Sequence, residues 1–402
     1  MSAMIDEQPS AVASLGGRHA SRLHALQLGM RWGQAPGAGG LDRVFTDLVR
    51  LLPEAGVDTE AVVEGPTDAG VWSGARVHSF APRPTILPRR YAAARQVIRD
   101  VLQGGTFDLV AVHFALHAAL ALGGRVRCPL PLVAHFHGPW SLEARQEGEG
   151  PLVVAAKHRV EGAVYRRAAR VIVLSRAFGD LVVRTFGVDA ERVRLVPGHV
   201  DLARFARMPP RADARRMLGL PGDRPIVLTV RRLSRRMGLE RLVAAMAEVV
   251  RAVPDILLCI AGKGALGAEL ERRVREAGLE RHVRFLGFVP DERLALLYGA
   301  ADLSVVPTVA LEGFGLVAAE SLAAGTPALV TPVGGLPEVV APLSAELLLQ
   351  SAEAADIAAG LVAALRGTRR LPDASACRSY AAARFPVSLA VSRVAAVYRE
   401  VA

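Results

Sequence analysis

Short apolar runs alternate along the chain with longer stretches whose apolar positions recur every three or four residues. In the first half the runs LHALQLG, TEAVVEG, LVAVHF, LPLVAHF, RVIVLS and RVRLVPG are separated by segments such as RVFTDLVRLL and YAAARQVIRDVL. The second half repeats the scheme with PIVLTV, DILLCIAG, VRFLGF, DLSVVPT, PALVTP and ELLLQ. The short runs predict strands and the periodic segments helices. Such alternation yields parallel sheets covered on both faces, hence an α/β fold of two Rossmann-like domains. Between the halves, FARMPPRADARRMLGLPGDRP reads as a linker in which Pro209 and Pro210 discourage regular structure. The expected layout is a tail (1–20), a first domain (21–205), a second domain (206–384) and a C-terminal helix (385–402) that packs back on the first domain. Ligands in such sheets bind beyond the carboxyl ends of the strands, so the loops that follow strands are where chemistry is sought.

Composition narrows the class. With 402 residues, 51% hydrophobic positions and 38 glycines, the chain suffices for two cores. Its 49 basic and 39 acidic residues leave a net charge of +10, and Lys157 and Lys263 are the only lysines. That balance suits anionic ligands or an anionic surface, although an arginine-rich chain also arises from a GC-rich genome. Cys128, Cys259 and Cys377 show no pairing pattern and read as small core residues of a reducing compartment. MSAMIDEQPS lacks the features of a secretory leader, and no run reaches the ~20 apolar residues of a membrane span. The expected location is cytoplasmic. The basic stretch PRRYAAARQVIRD raises membrane-surface association as a reading ranked below an ordinary surface helix, because its apolar face is mostly alanine.

Candidate chemistry concentrates after three strands. Following DLSVVPT, the segment VALEGFGLVAAESLAAGTP places Glu312 in a loop, Gly313 and Gly315 around Phe314, and Glu320 on the helix that begins near Gly315. A helix start offers unpaired N–H groups and a positive dipole end to phosphate oxygens, and carboxylates accept hydrogen bonds from sugar hydroxyls. A loop charge and a solvated helix face are the plain alternatives. Glu320, however, stands in an almost wholly apolar segment, where an unpaired carboxylate is costly. PIVLTV runs into RRLSRRMG, so Arg231, Arg232, Arg235 and Arg236 are either surface charge or a diphosphate grip. GQAPGAGGLDRVFTDLVRLL supplies a glycine-rich loop (Gly37, Gly39, Gly40) that opens a helix, a pattern that turns also use. His113, His135 and His137 end strands. Such histidines are more often core residues, and His137, followed by Gly138 and Pro139, is favoured as the one at a strand-to-loop step. No Cys/His spacing suggests a metal site, and D-x-D is absent from the sequence.

The run AGKGALGAEL, with Gly262, Gly264 and Gly267, matches the G-x-G-x-x-G of dinucleotide sites. It follows the second strand of its half rather than the first, and no acidic residue ends the next strand to take a ribose diol. It reads instead as part of a ligand cleft, with Lys263 near phosphate or simply exposed.

Taken together, E-x7-E as Glu312 and Glu320 within GFGLVAAESLAAGTPALVTPVGG, with VRRLSRRMGLERL, VRFLGFVP, RVIVLSRAF and VRLVPGHVD, resembles the large family 4 of retaining glycosyltransferases of the GT-B fold. The resemblance runs from about Leu23 to Tyr398 and is most specific over Glu312–Gly335. It implies two Rossmann-like domains facing a central cleft, a nucleoside diphosphate sugar of the UDP or GDP type as donor, a small-molecule or lipid-linked hydroxyl acceptor, and neither cofactor nor metal. No nucleic acid is expected as a partner. By the same resemblance Glu312 holds the donor hexose and Glu320 the ribose, while the amides of Phe314, Gly315 and Leu316 lie by the sugar and phosphates. Gly39 and Gly40 border the diphosphate, Arg232 binds it, His137 contacts the transferred sugar and Val289 reads the base through its backbone. The usual G-R-L-x4-K-G loop carries Arg231 for the glycine and Met237 for the lysine, which makes Arg236 a candidate replacement. PGHVD stands for P-N-G-V-D, and Ala111 for the first histidine of an H-x-H. The alternatives are a non-hydrolysing nucleotide-sugar epimerase and a non-catalytic nucleotide-sugar-binding protein.

Overall fold

The computed structural model describes residues 22–32, 39–65, 70–72, 75–80, 86–121 and 129–402. The expected N-terminal tail, Gly37 and Cys128 lie outside them.

Two sheets form. The first comprises β1 (Leu23–Leu28), β2 (Val57–Glu64), β3 (Gly70–Trp72), β4 (Ala75–Phe80), β5 (Leu109–Val112), β6 (Leu132–Phe136), β7 (Arg170–Val173) and β8 (Val193–Leu195), in the order β3-β4-β2-β1-β5-β6-β7-β8. All its pairings are parallel except β3 with β4 at one edge. The second comprises β9 (Ile226–Val230), β10 (Leu257–Ala261), β11 (Val283–Gly287), β12 (Leu303–Val306) and β13 (Ala328–Val330), in the all-parallel order β11-β10-β9-β12-β13. Helices cover both faces, and β5, β6, β10 and β12 are buried along their whole length, which explains their unbroken apolar runs. This is the GT-B architecture of two Rossmann-like domains flanking a cleft. In each sheet the strand order reverses beside the first strand, between β1 and β5 and between β9 and β12. Those switch points are where such sheets open a crevice for ligands.

Three sequence expectations change. The β3–β4 edge was not foreseen, since ARVHSF is short and mixes charged with apolar positions. ELLLQ is not a strand of the sheet. It forms a one-turn 3-10 helix (Ala345–Leu347) and a single bridge, Val330 to Leu348, while Leu347 and Leu349 drop into the core. The supposed irregular linker contains a helix, Arg211–Leu218, with Pro210 at its N-cap, where a missing N–H removes no intrahelical bond. Buried Arg215 anchors that helix by donating to the Ala300, Gly222 and Arg224 carbonyls and pairing with Asp302 at 2.6 Å.

The C-terminal helix Val387–Arg399 packs on the first domain. Val391, Val394, Val397 and Tyr398 join Ala25, Leu48, Leu52 and Leu109 in one cluster. Beyond it, Glu400 receives Arg170 at 2.6 Å and Arg194 at 2.8 Å. The chain thus passes twice between the domains, and the two passages touch: the Val200 amide donates to the Phe385 carbonyl at 2.8 Å, and Val200 bridges Pro386. Among the described residues no helix is long and apolar enough to cross a membrane.

Val394 is 2% exposed and belongs by sequence to the last helix but by packing to the first domain. Val394→Asp buries an unpaired carboxylate and is expected to lower the unfolding free energy by more than about 3 kcal/mol, read as a fall in the urea midpoint. A wild-type midpoint would show that the helix does not support that domain.

Candidate active site

The carboxyl ends of the two sheets face one another at close range. A Cβ placed on Gly313, after β12, would lie 3.2 Å from the His137 carbonyl, after β6. One placed on Gly40, in the first domain, would lie 3.3 Å from Leu316 in the second. Gly335 abuts Ser175, and Gly198 packs against the Phe314 ring, so neither position has room for a side chain. Glu338 of the second domain accepts from the Arg176 and Ala177 amides at 2.9 and 3.0 Å, capping a helix start in the first.

Glu312 occupies the floor of this cleft. Its carboxylate receives Arg231 at 2.6 Å and the Thr308 hydroxyl at 3.1 Å, and both charged side chains are largely buried, 7% and 13% exposed. Arg231 also donates to Thr308, while its Nε has no partner among the described residues. The preceding residue, Leu311, is the one non-glycine among the described residues with positive φ, 56°. Backbone held there stores about 1–3 kcal/mol of strain. Arg236 steadies it by donating to the Leu311 carbonyl at 3.2 Å, and the Gly335 amide donates to the Glu312 carbonyl at 2.9 Å.

Just beyond, the helix Leu316–Ala324 starts from Gly315, whose φ of 91° suits glycine. Its first amides, Leu316 and Val317, are among the groups without intrahelical acceptors, and the Leu316 side chain meets Gly40 across the cleft. Phe314 is not at the surface: it is 6% exposed and stacks edge-on against Phe385, so its contribution to the cleft is its backbone. Glu320, 2% exposed, is satisfied by the Tyr298 hydroxyl at 3.0 Å, Arg204 at 3.4 Å and Arg43 at 3.5 Å. Arg43 comes from the first domain and also pairs with Asp291 at 3.0 Å.

Arg232 is exposed and forms no ion pair among the described residues, and it lies in the field of Asp42 and Glu143 from the first domain. Arg236 instead spans the cleft to Glu143 at 3.2 Å. Glu143 stands on a helix whose first amides, Trp140 and Ser141, are held by buried Glu161 at 2.7 and 2.9 Å. Burial pushes the Glu143 carboxyl above its ordinary range, while Arg236 and Arg232 oppose that and Glu312 adds to it. Gly39 is open, with its amide donating to Asp42 at 2.8 Å. Lys263 is exposed with its stem beside Gly287, and Val289 is half-buried at the end of β11. The glycines of AGKGALGAEL have a packing role: Gly262 and Gly264 lie against the Arg231 and Leu233 carbonyls, where any side chain would collide. They set the backbone of the arginine loop.

His137 keeps a partial opening to the cleft, with His113 and His135 buried behind it. The three rings are near-parallel, tilted by only 13° to 21°, with His113 and His135 face to face at 4.0 Å between centroids. Their nitrogens lie within 4.8 Å of one another. A metal must lie in the plane of each ligating ring, about 2 Å from its nitrogen, and the face-to-face planes of His113 and His135 do not meet at such a point. The cluster is therefore a hydrogen-bond assembly. Burial, with His199 adding to it, pushes His137 down to about 4, and burial with neighbouring imidazoles lowers His113 and His135 further below the usual range.

Glu143, Arg43 and Thr308 were not singled out in advance as site residues, and Arg231 was read as one arginine of a diphosphate grip rather than as the partner of Glu312. The replacement of a loop glycine by Arg231 was the one sequence signal that set this position apart from its neighbours.

Because the unfolded chain takes up histidine protons near pH 6.5 and the folded state resists them, stability is expected to fall as pH drops below that value. Each histidine contributes up to about 1.4 kcal/mol per pH unit. The raised carboxylates Asp42, Glu143 and Glu161 act oppositely nearer their own range, so urea midpoints are compared between about pH 7 and about pH 5.5. A flat profile there would contradict the buried neutral cluster.

Comparison with known proteins fits this geometry. Residues 38–204 match the model described as Glycosyltransferase Family 4, and residues 210–384 match Glycosyl transferases group 1. D-inositol 3-phosphate glycosyltransferase 2 of Catenulispora acidiphila is 30% identical over 98% of this chain and 96% of its own. D-inositol 3-phosphate glycosyltransferase of Nocardia farcinica is 36% identical over 66% of this chain and 60% of its own. Among solved structures, sucrose-phosphate synthase from Thermosynechococcus elongatus superposes with a TM-score of 0.78 at 27% identity, covering 94% of this chain and 99% of that one. HepE from Anabaena, solved with UDP and glucose, superposes at 0.76 with 22% identity over 94% of this chain and all of that one, a likeness of fold. The chain belongs to the GT-B-fold glycosyltransferases whose two halves those models describe.

Proposed function

We propose that this chain is a retaining, metal-independent glycosyltransferase that moves a hexosyl group from a nucleoside diphosphate sugar to a hydroxyl acceptor. The observation that carries the reading is Glu312, held by buried Arg231 on the second domain opposite His137 on the first, beside the free amides that begin the helix at Leu316. In this reading Glu312 accepts from hydroxyls of the donor hexose, and Glu320 takes the ribose diol once Arg43 and Arg204 yield. Arg232 and the amides of Gly315 and Leu316 receive the diphosphate. Gly39 and Gly40, without side chains, let it approach the first domain, and the backbone at Val289 meets the base.

As the bond between the anomeric carbon and the β-phosphate oxygen breaks, negative charge grows on the diphosphate. Preorganised N–H groups and a guanidinium stabilise it without reorganising. The acceptor oxygen bonds the same face of the anomeric carbon, and its proton passes to the departing phosphate oxygen. The products are a glycoside of unchanged anomeric configuration and a nucleoside diphosphate. Support for a uridine donor comes from the fold likeness to HepE, whose structures hold UDP with glucose or UDP-glucose. The names of the curated relatives make D-inositol 3-phosphate the first acceptor to try.

UDP-glucose and GDP-mannose are compared by thermal shift, since a bound donor raises the melting temperature by mass action. Glu312→Ala and Arg232→Ala are each expected to lower turnover, or donor hydrolysis in the absence of acceptor, by about 10²–10³-fold. EDTA is expected to leave turnover unchanged. Unaffected variants, loss of activity with EDTA, or a donor converted to its epimer would each overturn the assignment. Arg231→Gly, which restores the residue usual in such loops, is expected to weaken donor binding about tenfold, because Glu312 then loses its buried counter-charge.

A further inference from the structure

Behind His137 a single file of hydrogen bonds runs through the first domain to the end of the chain. His137 Nε2 lies 3.1 Å from His113 Nδ1, and His113 Nε2 lies 3.0 Å from Gln27 Oε1. Gln27 Nε2 lies 3.2 Å from the Tyr398 hydroxyl, which in turn is 2.8 Å from His135 Nε2. Gln27 and Tyr398 are fully buried, and His113 and His135 nearly so, so bulk water does not compete for these bonds. Neutral imidazole carries one N–H and one bare nitrogen, so a donor at one of its nitrogens forces an acceptor at the other. The file therefore has a direction, and its direction at one end sets the proton at the other.

Its members settle that direction. Gln27 turns Oε1 to His113 and Nε2 to Tyr398. The tyrosine hydroxyl is closer to His135 than to Gln27 Oε1, 2.8 against 3.3 Å. Hence Gln27 donates to Tyr398 and Tyr398 to His135, while His113 donates through Nε2 to Gln27 and accepts at Nδ1 from His137 Nε2–H. We propose that Gln27, His113 and Tyr398 are positioning residues that lock His137 as its Nε2–H tautomer, so that the nitrogen offered to the cleft is a bare Nδ1, an acceptor for a hydroxyl of the transferred sugar. The reversed file would need the Gln27 amide turned over and would present an N–H donor instead. Burial, which disfavours every imidazolium in the file, keeps it neutral. The sugar contact rests on the donor reading above, whereas the tautomer does not.

Nitrogen-15 spectra of histidine-labelled protein read the proton position directly. Wild type is expected to show His137 with an unprotonated Nδ1 and a protonated Nε2. Tyr398→Phe, which keeps the ring and removes the hydroxyl, is expected to give a mixture of tautomers. His113→Leu is expected to do the same, and His113→Asn, whose amide oxygen can accept from His137, to recover the wild-type state. Calorimetry with UDP-glucose and with UDP supplies the second readout. Tyr398→Phe and His113→Leu are expected to weaken UDP-glucose about tenfold and leave UDP unchanged, whereas a loss of packing alone would weaken both. A protonated Nδ1 in wild type, or an unaltered tautomer in both variants, overturns the proposal. If wild type binds neither compound, the donor reading fails while the spectra still decide the relay.

Discussion

The ion pair between Arg231 and Glu312 is the constraint on which the cleft is built. Burying two opposite charges is favourable only when geometry and additional hydrogen bonds compensate for lost hydration. Here Thr308, itself fully buried, binds both partners, and the loop that carries Glu312 is bent through a left-handed residue and stitched to Gly335 and Arg236. The arginine loop is shaped in turn by Gly262 and Gly264, whose lack of side chains lets two backbones touch. Removing one charge leaves the other stranded, so the pair, the strained turn and the glycine contact stand or fall together.

Contacts across the cleft are mostly ionic or involve helix ends. Arg236 with Glu143, Arg43 with Asp291 and Glu320, and Glu338 with the amides of residues 176 and 177 hold the lobes, while the apolar clusters lie mainly within each lobe and its attached helix, Leu174 of the first lobe packing against the core of the second. Two lobes joined this way separate with little apolar surface exposed. A ligand bearing several charges can exchange for these pairs one by one, which suits the nucleoside diphosphate donor proposed for this crevice.

Much of this was visible in the sequence because the signals were local. Unbroken apolar runs betrayed the parallel strands, and the spacing of Glu312, Gly315 and Glu320 marked the loop and helix start. What escaped was long-range. Nothing within WSLEARQ shows that Glu143 will meet Arg236, and an arginine after a strand reads equally as solvated or buried until its partner Glu312, 81 residues on, is known. Tyr398 meets Gln27 across 371 residues. The leucines of ELLLQ had the composition of a strand but are spent filling the core, and Pro210, a breaker inside a helix, serves well at the start of one.

The contact of Val200 with Phe385 and Pro386 determines how the lobes can move. Two connections set far apart would fix an axis between the lobes. Fastened side by side, these two tie the lobes together at a single place. Any movement of one lobe against the other would displace loops in proportion to their distance from that place, least beside the joint and most at the outer rim of the crevice.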